Sequence, residues 1–486
     1  MIDDFKSDTS YQGANRRRYL QLIGAGIGVT IGGTNSVSAE DTPTSDAQLA
    51  WELDTEHPIF GGASIADGTV YVADTRGNVY AVDPNSGEVD WAYDNGDQFD
   101  GFDNDIPPKY VDEVLITATW GSTVSFLDPT NGDELGSYSA DSRMLGTRSG
   151  GMSVFDGTMY IPQSDGPFLG IDLEAGEARF SIEYDGGGTD LTGNPVVVGG
   201  YVLISNGVVG GDLLAYNTET EDLEWTFEPD DGGVSTPVVS GGRVYVGAGG
   251  EFYALELETG EVVWSKHIGQ DTGVAATVRD GVVYATSIAD SDAESDDPDY
   301  LTSTIHAMAA QTGEHIWHTQ VGEDCRNAPT IAGDTVYVSH WGENAILAVD
   351  AETGDVKWQY ETGHTERGHV VVSDGMLYAG SASLRFLAFD VEETGSSDGA
   401  RVQLGIYNHV DDWEWANEMP PADFTAGVPT AQEMEQDAET GDNADDDAND
   451  GPDEDADDEI PGFEVASTLT AVVGALYGYT RLAESE

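Results

Sequence analysis

One recurring phrase constrains the fold of this chain more than any other feature. Its clearest copy is VYAVDPNSGEVDW, from Val79 to Trp91, in which two strand-like runs flank a polar turn. The Pro, Asn and Gly of that turn supply the fixed and positive φ angles that a tight reversal needs. Equivalents of its first residue, Asp83, return about every 44 residues, a period typical of repeated supersecondary units. They are Asp128, Asp172, Asn217, Glu256, Ala309, Asp350 and Asp390.

A second phrase, DGTVYVA from Asp67 to Ala73, is interleaved with the first and also occurs eight times. Each repeat therefore reads as strand, Gly turn, strand, strand, Gly turn, strand. Four-stranded units of this kind bury their faces against one another and close into a ring. The sequence predicts an all-β fold, an eight-bladed β-propeller of four-stranded antiparallel blades, over residues 46–405.

The first and last repeats indicate how the ring closes. The last repeat has no Trp after its turn, whereas Trp51 precedes the first repeat and belongs to none. We expect the strand around Trp51 to complete the last blade. A strand from Arg401 to Tyr407 is the competing candidate for that place.

The best copy of the phrase resembles a known family motif. Ala348, Asp350, Thr353, Gly354 and Trp358 match A-x-D-x-x-T-G-x-x-x-W, which is similar to the tryptophan-docking motif of pyrroloquinoline-quinone-type (PQQ-like) propellers. The resemblance implies that each Trp packs between adjacent blades near a motif Gly, as a structural residue. The docking residues so implied are Trp51, Trp91, Trp225, Trp264, Trp317, Trp358, Gly87, Gly260, Gly313 and Gly354.

Charge and cysteine content exclude several classes of function. The chain has 91 acidic and 18 basic residues, so it lacks the basic footprint that nucleic acids and anionic membranes require. Such an acidic surface is typical of a halophilic protein, because concentrated salt screens its self-repulsion. Because Cys325 is the single cysteine, the chain cannot form an intramolecular disulfide. We expect Cys325 to be a small buried residue.

The N-terminus resembles an export signal. Residues 15–21, NRRRYLQ, contain Arg16 and Arg17 and are similar to the twin-arginine signal, and a short Gly-rich apolar run follows. That run is too short to span a membrane. We expect residues 1–39 to be a twin-arginine signal peptide.

The C-terminus resembles a sorting signal behind a linker. Residues 406–460 are strongly acidic and predict a disordered, extended stalk. Pro461, Gly462 and Phe463 then precede an apolar run and Arg481, an arrangement similar to the PGF-type signal of archaeal surface proteins. A weak transmembrane helix in residues 461–486 is the alternative. Both interpretations tether the propeller to the extracellular face of the cell membrane.

Residues just before the innermost strands are the candidate ligand site, because these loops crowd around one mouth of a propeller channel. Arg148, Arg326 and Arg367 occur there, with His369 close by. Arg side chains can hold a carboxylate or phosphate through two parallel hydrogen bonds. Neutralisation of neighbouring Asp residues is the alternative. The acidic loop from Ala289 to Tyr300 lacks the ligand spacing of a calcium loop, and no metal site is predicted.

These observations favour a non-catalytic binding scaffold, similar to the propeller lipoprotein of the bacterial outer-membrane assembly machine. Its expected partner is a surface or envelope protein or a small anionic ligand, and it is expected to act as a monomer without cofactor or catalytic residues. The alternative is a quinoprotein dehydrogenase that oxidises an alcohol or sugar with pyrroloquinoline quinone and Ca²⁺. One cysteine cannot form the disulfide that caps the quinone in many members of that class.

Overall fold

A computed structural model describes the propeller repeats and the segments immediately around them. Residues 1–33 lie wholly outside the described residues. The described residues are 34–36, 48–95, 106–111, 113–118, 123–139, 152–155, 157–163, 168–173, 177–182, 195–198, 200–205, 211–230, 232–269, 271–272, 276–288, 302–323, 325, 327–340, 344–362, 369–391 and 397.

The described part of the chain is all β and confirms the eight-bladed propeller. Two strands precede the first blade, Thr34–Ser36 (β1) and Gln48–Asp54 (β2). Blades 1 to 4 follow in chain order, each with four strands from the centre outwards. They are Ser64–Ala66 (β3), Thr69–Ala73 (β4), Val79–Val82 (β5), Val89–Tyr93 (β6); Lys109–Val111 (β7), Val114–Ala118 (β8), Thr123–Leu127 (β9), Glu134–Ser139 (β10); Ser153–Phe155 (β11), Thr158–Ile161 (β12), Phe168–Asp172 (β13), Glu177–Ile182 (β14); Val196–Val198 (β15), Tyr201–Ser205 (β16), Leu213–Asn217 (β17) and Leu223–Phe227 (β18).

Blades 5 to 8 repeat the same antiparallel order, and blade 8 takes its outermost strand from β2. Their strands are Val238–Ser240 (β19), Arg243–Ala248 (β20), Glu251–Glu256 (β21), Val262–His267 (β22); Asp271–Thr272 (β23), Thr277–Arg279 (β24), Val282–Ile288 (β25), Thr302–Ala309 (β26), His315–Glu323 (β27); Thr330–Ala332 (β28), Thr335–His340 (β29), Ala345–Asp350 (β30), Val356–Glu361 (β31); Val371–Ser373 (β32), Met376–Ser381 (β33) and Arg385–Asp390 (β34).

The core is divided among the interfaces between blades. The described residues form eight hydrophobic clusters, and each joins two neighbouring blades. Between blades 1 and 2, for example, Tyr71 and Val79 pack with Tyr110 and Leu115. Because each blade is covered on both faces, its second strand is buried along almost its whole length, as in β4 and β20. The apolar VYV runs that the sequence repeats are therefore central strands and not half-exposed ones.

The strand around Trp51 closes the ring, as expected. β2 pairs with β34 in antiparallel register, with Gln48 opposite Asp390 and Asp54 opposite Arg385. The ion pair between Arg385 Nη1 and Glu52 Oε2, 2.9 Å apart, joins the two ends of the propeller chain. The competing segment from Arg401 to Tyr407 lies outside the described residues, and β2 fills the place considered for it.

Blade 6 is wider than the other seven. β23 adds to the end of β25, and β1 pairs in parallel with the outer strand β27. Thr34 to Ser36 are thus paired with residues 318–320, although the sequence places them in the predicted signal peptide.

The hairpins between first and second strands use the turn that the DG phrase predicts. Asp67 and Gly68 have φ angles of 49° and 75°, and Asp280 and Gly281 have 51° and 74°. Two successive positive φ angles define the type I′ turn, whose twist matches that of the flanking strands.

Candidate functional site

The tryptophans of the recurring phrase dock on the next blade along the chain. The ring of Trp264 in blade 5 covers Gly313 in blade 6, where an added Cβ would lie 2.6 Å from the ring. Its Nε1 donates a hydrogen bond to the carbonyl of Ala310 at 2.9 Å, and the hydroxyl of Tyr245 donates to the same carbonyl at 3.2 Å. One carbonyl with two lone pairs therefore joins two aromatic side chains of one blade to the next.

The same docking contact recurs around the ring and identifies a residue that sequence reasoning missed. The pairs are Trp51 with Gly87, Trp91 with Gly132, Trp225 with Gly260, and Trp317 with Gly354. Gly132 was absent from the predicted set because its own blade carries Gly136 instead of Trp. The sequence did contain a signal for Gly132. It lies five residues after Leu127, at the position that Gly87 occupies in the turn from Asp83 to Gly87.

A β-bulge precedes each docking tryptophan and aims its ring. The register shifts between Ala254 and Leu255 opposite Trp264, and between Ala348 and Val349 opposite Trp358. A bulge adds one residue to a strand and turns the side chains beside it. Trp358 is buried in the interface between blades 7 and 8, but the turn after Asp390 that it would meet lies outside the described residues.

The acidic residues of the phrase cap their own turns. Oδ1 of Asp350 accepts hydrogen bonds from the backbone N–H groups of Glu352 and Thr353, at 3.1 and 2.9 Å. Asp83 accepts from the backbone N–H groups of Asn85 and Ser86 in the same way, and also from the hydroxyl of Ser86 at 2.8 Å. The hydroxyl bond first, and then the backbone bonds, lower the pKa of its carboxyl group. These carboxylates are occupied by the turn, as Asp side chains commonly are.

A second set of contacts joins the innermost strands, which touch one another from blade to blade. The first residue of an inner strand donates its hydroxyl to the carbonyl just before the next inner strand: Thr277 to Pro329 at 2.5 Å, and Thr330 to Val370 at 2.9 Å. Ser64 and Ser153 bond to Pro108 and Pro195 in the same way. Blade 2 has Lys109 at this place, fully buried, and burial lowers the pKa of its amino group to about 7.

The channel mouth predicted to bind a ligand lies where second strands end and first strands begin. Arg148, Arg326 and Arg367 fall outside the described residues. His369 is described and lies just before β32, with only 2% of its surface exposed. His340, at the end of β29, is equally buried at the same end of the neighbouring blade.

The described polar groups around this mouth bond mostly to one another. Ser205 Oγ donates to the carbonyl of Ser235 at 2.9 Å, and Thr286 Oγ1 to that of Asn327 at 3.2 Å. Asn327 in turn donates to Ser339 Oγ at 2.5 Å. Cys325 is completely buried beside them, within the apolar cluster of blades 6 and 7, as expected. The bonds from Ser205 and Thr286 join blade 4 to blade 5 and blade 6 to blade 7 at the end of the ring where a ligand would enter.

Within the described ranges, no group of three or more His, Cys, Asp or Glu side chains is arranged to hold a metal ion. The described segments also include no helix long and apolar enough to cross a membrane. The predicted tail at 461–486 and the acidic segments at 100–105 and 289–300 lie outside them.

Comparison with known proteins places this architecture among curated relatives. BamB, the outer membrane protein assembly factor of Yersinia pestis, is 24% identical over 254 residues, which cover 48% of this chain and 59% of that protein. Quinohemoprotein alcohol dehydrogenase ADH IIB of Pseudomonas putida is 25% identical over 272 residues, or 52% of this chain and 33% of the enzyme. The chain thus spans less than two thirds of the length of either relative.

Solved structures and a family profile agree on the propeller. The crystal structure of BamB from Moraxella catarrhalis has a TM-score of 0.55 at 16% identity, covering 71% of this chain and 99% of that one. At that identity the likeness shows the fold alone. The profile described as outer membrane protein assembly factor BamB matches residues 34–266, 209–302 and 271–399, so that it covers all eight blades. The chain therefore belongs to the BamB family of PQQ-like β-propellers.

Proposed function

We propose that this chain is an exported, cell-surface-tethered and non-catalytic propeller that serves as a scaffold for a surface or envelope protein. Membership of a family described by outer membrane protein assembly supports a role in holding another protein. The Arg16–Arg17 motif supports export, and Pro461 to Phe463 support tethering. The alternative binding partner within this proposal is a small anionic ligand at the channel mouth.

The observation that carries the proposal is a recurrence of exposed aliphatic side chains on the outer strands. Two residues before the docking tryptophan, four blades carry an aliphatic side chain that is 40–49% exposed. These residues are Leu49, Val89, Leu223 and Val262. Blades 8 and 1 are neighbours, as are blades 4 and 5, so the side chains come in pairs on adjacent blades. Apolar pairs repeated on so acidic a surface suit contact with a protein partner.

Site-specific photo-crosslinking of the full chain in its native envelope tests this. A crosslinker at position 223 or 262 is expected to yield one discrete protein adduct. The matched control is a crosslinker at Glu219, an exposed residue in the turn of the same blade 4. Substitution Val262→Asp should abolish the adduct formed from position 223. Adducts of equal yield and pattern at all three positions would contradict a specific docking surface.

Export and tethering have their own test. Replacing Arg16 and Arg17 together with Lys should leave an unprocessed precursor inside the cell, because twin-arginine recognition depends on the paired guanidinium groups. Deleting residues 461–486 should release the propeller into the medium. Unchanged processing and retention in both variants would refute this part of the proposal.

The second candidate, a quinoprotein dehydrogenase, is favoured by the similarity to quinohemoprotein alcohol dehydrogenases. The described residues do not fit a quinone with Ca²⁺: the hydroxyls of Ser205 and Thr286 and the amide of Asn327 are bonded within the protein, and the described residues supply no carboxylate cluster for the ion. Titration of the full chain with pyrroloquinoline quinone and Ca²⁺ in molar KCl, followed by dye reduction with alcohols and sugars, separates the candidates. Stoichiometric binding with turnover would replace the scaffold proposal.

A further inference from the structure

Blade 6 gathers three of the chain's nine histidines on one face of its two outer strands. His306 in β26 lies directly opposite His318 in β27. The bulge between Ala307 and Met308 shifts the register, so that His315 joins the same face instead of pointing away. The ring centroids lie 5.3 Å apart for His306 and His315, 5.7 Å for His315 and His318, and 6.2 Å for His306 and His318.

Hydrogen bonds determine the tautomers in this cluster. Ser287 Oγ donates its hydrogen to the carbonyl of Ile268 at 2.8 Å, so it must accept from Nε2 of His306 at 2.7 Å. Nε2 of His306 therefore carries the proton, and its Nδ1 presents a lone pair. That Nδ1 accepts from Nε2 of His315 at 3.2 Å. The buried hydroxyl of Ser287 thus fixes the orientation of the His306 ring. Metal-bound histidines are commonly oriented in the same way, by a hydrogen bond to the ring nitrogen that does not bind the metal.

The spacing of the rings matches that of imidazoles around one ion. A metal–nitrogen bond of about 2.1 Å puts two tetrahedral ligand nitrogens about 3.4 Å apart. The 3.2 Å between the nitrogens of His306 and His315 is close to this value. A hydrogen bond joins His306 to His315, and as the side chains stand no three His, Cys, Asp or Glu residues of the described ranges are arranged to hold a metal ion. Metal binding therefore requires the three rings to rotate and the His315 proton to move from Nε2 to Nδ1.

Imidazole binds metal ions in its neutral form. Lys266 in blade 5 opposes a bound cation, while a net charge of −73 attracts one. His315 and His318 reach solvent, so an ion has access.

We propose that His306, His315 and His318 bind one divalent transition-metal ion of the class that favours imidazole, with Cu²⁺ tighter than Zn²⁺ or Ni²⁺. Hard cations such as Ca²⁺ and Mg²⁺ are not expected to bind at this site, because they prefer oxygen donors. The sequence spacing H-x8-H-x2-H does not by itself predict the cluster, because the hairpin and its bulge bring the three rings together.

The test is titration of the full chain with Zn²⁺ by calorimetry, and with Cu²⁺ by electron paramagnetic resonance, in molar KCl that screens weak binding to surface carboxylates. We expect one ion per chain and nitrogen hyperfine splitting from Cu²⁺. His315→Ala and His318→Ala should each weaken binding by about a hundredfold or more. Both residues are partly exposed, so these variants are expected to fold, and circular dichroism checks that they do.

Two further variants make the outcome decisive. His267→Ala removes an exposed histidine of neighbouring blade 5 that pairs with Glu251, and it should leave affinity unchanged. Lys266→Gln should tighten binding several-fold by removing the opposing charge. Absence of stoichiometric binding, or full affinity in the His315→Ala, His318→Ala double variant, would overturn the proposal.

Discussion

At the scale of single residues, the docking contact explains why the turn needs glycine in some blades and not in others. Gly313 has a φ of +69° and lies under Trp264, so both its backbone angle and the space exclude a side chain. Glu221 occupies the same place in blade 4, with a φ of 65°. The blade before it carries Phe180 instead of Trp. A positive φ alone is therefore tolerated, and the tryptophan accounts for the strict requirement.

Two alanine substitutions separate these effects. Gly68 has a φ of +75° but no atom within 4 Å of an added Cβ, so Gly68→Ala should cost about 1 kcal/mol of backbone strain. Gly313→Ala adds the collision with Trp264 and should cost at least about 1–3 kcal/mol more. Denaturant unfolding in molar KCl measures both values. Equal losses of unfolding free energy in the two variants would show that the Trp264 side chain moves aside without destabilising the protein.

The buried Lys109 gives a pH-dependent prediction. Burial lowers the pKa of its amino group to about 7 in the folded chain, well below the 10.5 of an exposed lysine. Between these values the unfolded chain binds the additional proton, so the folded state gains stability as pH rises from about 7 to 10. Relative to Lys109→Met, the free energy of unfolding should increase by about 1.4 kcal/mol per pH unit. Parallel pH profiles for the two proteins would contradict the shifted pKa.

At the scale of the elements, β2 matters more than its seven residues suggest. It supplies the outer strand of blade 8 and the tryptophan that docks on Gly87 of blade 1. Trp51 Nε1 also donates to the carbonyl of Pro84 at 2.9 Å. One strand thus completes a sheet and one interface between blades, which closes the ring.

Truncation tests the closure. A chain that begins at residue 55 lacks β2 and should lose at least about 4 kcal/mol, since removal of one buried tryptophan alone costs 3–5 kcal/mol. A chain that begins at residue 40 retains β2 and is the control. Calorimetry in molar KCl should show a lower and broader transition only for the shorter chain. Coincident transitions would mean that another segment closes blade 8.

At the scale of the whole molecule, charge governs the conditions under which the ring is stable. With 91 acidic and 18 basic residues, the compact state suffers self-repulsion that salt reduces. The Debye length falls from about 10 Å at 0.1 M to about 3 Å at 1 M, so stability should rise steeply over that range of KCl. Replacing the exposed turn residues Glu219, Glu258 and Glu352 with Lys should flatten this dependence. An unchanged slope would point to an effect other than screening.

Much of the fold follows from the sequence because the information is local and repeated. The DG hairpins, the capped turns after Asp83 and Asp350, and the buried VYV strands depend on neighbours within one repeat. Eight copies then predict eight blades. The orphan Trp51 sufficed to predict closure, since a docking motif without a repeat implies a partner elsewhere in the ring.

The exact pairing of residues between repeats was decided by the tertiary structure. The family resemblance implied that each Trp packs between blades near a motif Gly, but only the structure shows which glycine each Trp covers. It makes Gly132 a docking residue and leaves Glu221 without a Trp above it. The sequence does not show that a bulge turns His315 onto the face of His306 and His318. Local chemistry determined what each blade is. Its relation to its neighbours depends on strand register and ring geometry, which exist only once the blades have packed.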